Sequence, residues 1–250
     1  MRSGEDADQS PSPSARFPHG ARLHIVLDEA FEPFRAVGAV VFTDEEFLAA
    51  NDQISHLRSE LEESAYLAGH TSFDAFVEHG FHGTADTAEV AIPFVDQIFK
   101  TLPGKAFIYF TDGTRRPDLS PKKTILLLYA SLLQVIIRTH RYAQALEFHF
   151  EHHDELGRYF QGVVDAAQRK SRAKMTIRVH ECVKGDPPSL ALVDYLLWIF
   201  GRSYKLLLRD GELPQTALDA RNLRAAQSHF SLLYSLETGR VASRRYPVVS

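Results

Sequence analysis

The chain is expected to fold as an α/β domain, with a mixed sheet, an opening antiparallel hairpin, parallel strands and flanking helices. Three observations predict this. From residue 105 onward, segments alternating with period two take turns with segments of helical period. Near the start, the strand-like runs RLHIVLDEA and AVGAVVF are separated only by the turn-like FEPFR. The composition, 44% hydrophobic and 24% charged over 250 residues, is that of an ordinary globular chain and suits one large domain.

Taken in order, residues 1–20 are rich in Ser, Pro, Gly and charge and read as a disordered tail. The domain spans 21–238, and 239–250 read as a C-terminal tail. After the hairpin, Thr43 and Glu46 form a capping box that starts a helix carrying Phe47, Ile54, Leu57 and Leu61. The His- and Gly-containing segment HTSFDAFVEHGFHGTAD leads to a second helix with Val90, Phe94, Val95, Ile98 and Leu102. Strands are predicted over 105–111, 144–150 and 175–180. Between them lie a helix capped by Ser120 with Pro121 in its first turn and a helix around Leu156 to Val164. Ser189 starts an apolar helix reaching about Leu208, and a last helix carries Leu218, Leu223, Phe230 and Leu233.

Several function classes are excluded early. Lys plus Arg number 28 against 32 acids, a net charge of −4, which disfavours a globally basic nucleic-acid binder but leaves room for a local basic patch. The single cysteine, Cys182, rules out an intrachain disulfide and a multi-cysteine metal site, and fits a cytoplasmic protein. The N-terminal residues carry no apolar signal core. The longest apolar run, Leu190 to Phe200, is about half the ~20 residues that span a bilayer and contains Asp194. No membrane association is expected.

Three acids stand where a sheet of this class places its site, at the carboxyl ends of strands. Asp28 closes the first strand, Glu151 closes the strand of 144–150, and Asp194 interrupts an apolar helix. An ionised carboxylate among Leu190, Val193, Leu197 and Trp198 costs several kcal/mol unless paired, hydrogen-bonded or metal-bound. Carboxylates suit Mg²⁺ or Mn²⁺, and two such ions about 3.5–4 Å apart promote phosphodiester cleavage. A structural Asp194 bonded to arginine or to backbone amides is the other reading.

The runs LHIVLDEA and AVGAVVF resemble the opening strand pair of the domain-of-unknown-function family 3800. FHGTAD is similar to its His-containing midregion, and VHECVKGDPPSLALVDYLLWIFGRSY to its closing strand and helix. Ala30 and Phe31 stand where that family has Ser-Gly, and Glu151 where it commonly has Asp. The resemblance implies an RNase H-like fold with the first and fourth strands adjacent. It also implies a metal site at Asp28, Glu151 and Asp194, and His82 as a proton shuttle or substrate contact. Glu29, Glu147 and His149 are auxiliary candidates.

The cluster His149, His152 and His153 suggests a transition-metal site, but a strand residue and two residues at a helix start share no ligand face. Arg115, Arg116, Lys122 and Lys123 surround a helix start, where backbone amides favour phosphate, and are the candidate nucleic-acid contacts. The reading is a nuclease or related phosphoryl-transfer enzyme using Mg or Mn at a one- or two-ion site. The alternatives are a catalytically degenerate scaffold or nucleic-acid-binding module of the same fold, and a histidine-rich metal hydrolase.

Overall fold

The computed structural model describes residues 17, 19–32, 34–69, 71–102, 104–114, 116–210 and 216–243. Strands β1 (Arg22–Ala30) and β2 (Arg35–Thr43) form the expected hairpin, with Leu23 opposite Thr43 and Ala30 opposite Ala36. Helices α1 (Asp44–Glu62), α2 (Thr71–His79) and α3 (Ala88–Thr101) then leave the sheet before β3 (Lys105–Thr111) returns antiparallel to β2. Helix α4 (Pro121–Thr139) leads to β4 (Ala145–Glu151), and α5 (Gly157–Ser171) to β5 (Thr176–Cys182). Both of these strands run parallel to β1. Helices α6 (Leu190–Asp210) and α7 (Ala217–Ala226) precede β6 (Phe230–Ser235) and β7 (Gly239–Ser243). The sheet order is β5-β4-β1-β2-β3-β6-β7. The first and fourth strands are neighbours.

Local chemistry explains the boundaries. Thr43 Oγ1 accepts the Glu46 N–H at 3.2 Å, and Glu46 Oε2 accepts the Thr43 N–H at 2.9 Å, so the predicted capping box starts α1. Ser120 caps α4 ahead of Pro121, whose missing N–H costs nothing in a first turn. Alternation then assigns each side of the sheet to a layer. Ile25, Leu27, Phe148 and Phe150 pack with Leu128, Leu132 and Phe160 of α4 and α5. Val26, Val40 and Phe110 face Ile54, Phe94 and Leu196 of α1, α3 and α6. Each such side chain, taken fully out of water, contributes roughly 1.5–3 kcal/mol.

Four expectations are corrected. Phe230 and Leu233, assigned to a final helix, lie in β6, because FSLLYS carries no charge and provides the partner that β3 needs on its far side. Residues 239–243, expected in the C-terminal tail, pair with β6 as β7, and Gly239 takes the positive φ of +84° at the turn. Phe17, expected in the N-terminal tail, is buried edge-on against His140, with the Lys105 ammonium 4.8 Å from its ring centre. Helix α2 was hidden by flanking His and Gly, although Phe73 and Phe76 are spaced to share one apolar face. The remaining tail residues, 1–16, 18 and 244–250, lie outside the described residues.

Candidate functional site

Because β1, β3, β4 and β5 run in one direction, their carboxyl ends share one edge of the sheet. The β1–β4 register pairs Leu27 with Phe150, so Asp28 and Glu151 are the next residues on adjacent strands. Both point away from the Leu27 and Phe150 layer, toward α6. Asp194, in the second turn of α6, reaches the same place. A cleft of about 260 Å³ is lined by Asp28, Glu29, Glu151 and Asp194 together with His82, His153 and Lys184.

Each acid is held differently. Asp28 Oδ1 accepts the N–H of Glu29 at 2.8 Å. Glu29 projects to the other side of the strand, where the buried Tyr129 hydroxyl donates to it and His153 Nε2 stands 4.0 Å away. Asp194 Oδ2 accepts the Gly83 N–H at 2.8 Å and faces His82 Nδ1 at 3.1 Å. The loop carrying these residues is braced by Asp86, which accepts the His82 N–H at 2.8 Å and the Tyr195 hydroxyl.

Crowding of negative charge dominates the electrostatics. Asp28 is raised well above the ordinary carboxylate range, first by lost hydration, then by Asp194, Glu29 and Glu151. Burial raises Glu29, with Tyr129 and His153 opposing, and burial raises Glu151, with Lys184 opposing before Asp194 adds to it. Asp86 is pushed up to about 6 by burial. His82 is raised by its hydrogen bond to Asp194.

Among the described residues, neither Asp28 nor Glu151 is ion-paired, and no three His, Cys, Asp or Glu side chains are drawn together as ligands. The donor set nevertheless fits a hard divalent cation. It is made of carboxylate oxygens, partly desolvated and mutually repelling, which a cation would relieve.

Two auxiliary candidates fall elsewhere. Glu147 and His149 share the side of β4 that carries Glu151, but positions two apart on a strand are ~6.6 Å apart along it, so both lie back from the edge. Glu147 pairs with Arg178 and His180, each at 2.9 Å; burial pushes its carboxyl up, but these partners outweigh it and hold it below the usual range. His149 stands between His24, 3.0 Å away, and the stacked ring of His180, and is pushed down to about 4, chiefly by burial. His152 and His153 line the cleft in the turn before α5, so the three histidines do not converge.

The basic group lies outside the cleft. Arg116 meets Asp118 at 3.4 Å, and Lys122 meets Glu155 at 3.9 Å while covering the Tyr159 ring. Lys123 occupies the first turn of α4, and Arg115 lies outside the described residues. Sequence reasoning missed Lys184, the cation that does line the cleft. Its signal was the polar turn after β5, which opens at the same edge. Tyr129 and the Asp86–Tyr195 brace carried no sequence signal beyond their residue types.

No family model matches the chain, and no curated protein matches it. Among solved structures it is similar to Bst-RNase HIII in complex with Mn²⁺, at 17% identity over 91% of this chain and 70% of that one, with a TM-score of 0.43. A mutant form of Bst-RNase HIII is similar at 17% identity over 92% and 70%, with a TM-score of 0.42. The strand order and directions described above are those of a mixed α/β sheet with an antiparallel hairpin, parallel strands and flanking helices. Among the described residues no helix is long and apolar enough to cross a membrane.

Proposed function

We propose that the chain is a divalent-metal-dependent nuclease or related phosphoryl-transfer enzyme, a divergent member of the family its strand and helix motifs resemble. One observation supports this above the rest. Four carboxylates from β1, β4 and α6 line one cleft at the carboxyl edge of the sheet, and burial and mutual repulsion raise three of them. Asp28, Glu151 and Asp194 would hold Mg²⁺ or Mn²⁺, with Glu29 beside them. When bound, such ions neutralise the phosphate and stabilise the oxygens entering and leaving at phosphorus.

The protein's own groups orient the reaction. Tyr129 fixes Glu29, and the Gly83 N–H fixes Asp194. Because His82 Nδ1 is engaged by Asp194, its Nε2 is the nitrogen left to exchange a proton with the departing oxygen. Arg116, Lys122 and Lys123 would contact nucleic acid further from the acids. A second reading, a scaffold or nucleic-acid-binding module without catalysis, is favoured by the same two Asp194 bonds, which make that acid a structural latch.

Labelled single- and double-stranded RNA, DNA and a hybrid, incubated with Mg²⁺, Mn²⁺ or chelator, separate the readings. Cleavage that needs either ion and is lost in Asp28→Asn supports the nuclease. Absence of cleavage on every substrate, with no metal-induced rise in melting temperature, overturns it in favour of the scaffold.

A further inference from the structure

The acid cleft does not end at the acids. A second cavity, of about 230 Å³, shares Phe81, Gly185 and Ala191 with it, so the two adjoin along those residues. The far part is walled by α1 through Ser55, Arg58 and Ser59. Its chemistry differs from that of the near part: hydroxyls and the ion pair of Arg58 with Glu62 replace the cluster of acids.

Arg58 is fixed before any ligand arrives. Its Nε donates to Glu62 Oε1 at 2.6 Å and its Nη2 to the carbonyl oxygen of Val77, also at 2.6 Å. The remaining nitrogen, Nη1, is directed at Gly80, where a Cβ would sit 3.0 Å from it. A guanidinium held at two of its nitrogens loses little freedom when the third engages an anion. A side chain at that position would crowd Nη1, and glycine avoids it. Beside it, Pro188 and the small exposed edge of the otherwise buried Phe81 offer apolar surface.

We infer that this groove seats a nucleic-acid strand, with the nucleotide beside the scissile phosphate lying against Phe81 and its outer phosphate on Arg58. The inference rests on the nuclease reading and extends it to how the strand is held. A polyanion entering a cleft of four carboxylates is repelled unless cations lie on its path. Lys184 in the cleft is placed to offset that repulsion, and Arg58 in the adjoining cavity, although paired with Glu62, still presents Nη1 to a phosphate. Among the described residues, neither Arg116, Lys122 nor Lys123 lines either cavity.

Fluorescence anisotropy with short fluorescein-labelled RNA and DNA strands, in chelator so that nothing is cleaved, tests this on the full chain. Arg58→Ala should weaken binding about tenfold and make the slope of log Kd against log salt shallower by about 0.7–0.9, one phosphate contact. Since Arg58 also braces α2, Ser55→Glu is measured alongside. It places a negative charge in the groove from an exposed helix position and should weaken binding with an unchanged melting temperature. In Mg²⁺ both variants should raise KM more than they lower kcat. Wild-type binding and cleavage with both variants at wild-type affinity would overturn the subsite and leave the nuclease reading intact. Wild-type protein that neither binds nor cleaves any strand would overturn both.

Discussion

The backbone N–H of Gly83 and Oδ2 of Asp194 are joined by a 2.8 Å hydrogen bond across 111 residues of sequence. The bond forms only because the loop after α2 lies directly on α6. A Cβ at Gly83 would meet the Trp198 Cβ at 2.9 Å and the Tyr195 Cα at 3.4 Å. The close approach needs the missing side chain.

Gly83→Ala should therefore lift the loop and lengthen the bond to Asp194. The expected loss is about 1–3 kcal/mol of stability, the usual cost of overpacking, read by urea denaturation. Metal-dependent cleavage should fall with it. A variant as stable and active as wild type would mean that Asp194 is positioned without this loop.

Asp28→Asn should stabilise the metal-free protein at neutral pH by ~1–4 kcal/mol, because it removes a desolvated charge facing three others. The sign follows from the direction of the shift. A carboxyl raised in the folded state disfavours its ionised form there, so stability falls as pH climbs from the ordinary carboxylate value through the raised one. The advantage of the variant should vanish in acid, where wild-type Asp28 is neutral. Denaturation in chelator at acidic and neutral pH checks this, and added Mg²⁺ should raise the wild-type melting temperature alone.

His140 acts in the opposite sense. Burial, with Lys105 adding to it, pushes its ring down to about 4, and its Nε2 has no hydrogen-bond partner among the described residues. Stability from the neutral ring is complete above the unfolded value near 6.5 and is lost as pH falls toward 4. His140→Phe should keep the contact with Phe17 and flatten that acid limb, by at most about 3 kcal/mol at pH near 4. An unchanged acid limb would show that other groups set it.

Tyr129→Phe tests the support under Glu29. Deleting the hydroxyl leaves a nearly buried carboxylate without its donor, an expected cost of about 1–3 kcal/mol. Thermal unfolding with and without Mg²⁺ should show the deficit in both conditions. A neutral result would place Glu29 in contact with water.

The strands that carry the acids were legible because period-two alternation marks β4 without ambiguity, and the capping residues Thr43 and Ser120 mark the helix starts. Asp28, Glu151 and Asp194, which line one cleft, stood out because charge at a strand end or in an apolar helix is costly and therefore conspicuous. Glu147 and His149 were over-read, since alternation gives the side of a strand but not the distance to its edge. Helix α2 and strand β6 were missed for a common reason. Each is short and takes its state from what it packs against, Phe81 and Phe94 for one and β3 for the other. Arg58 gave no signal, because a lone arginine on a polar helix face becomes part of a groove only after α2 returns to it.

The parallel pairing of β1 with β4 also ties the acid cluster to the folded state. Asp28 and Glu29 precede Glu151 and Asp194 by more than a hundred positions in the chain, so the four carboxylates meet only where β4 and α6 are in place. Repulsion among the four is a property of the assembled fold, in which β4 lies beside β1 and Asp194 of α6 reaches the same edge. A cation that relieved it would bind the folded chain and not the unfolded one, and by mass action would hold the native state against unfolding.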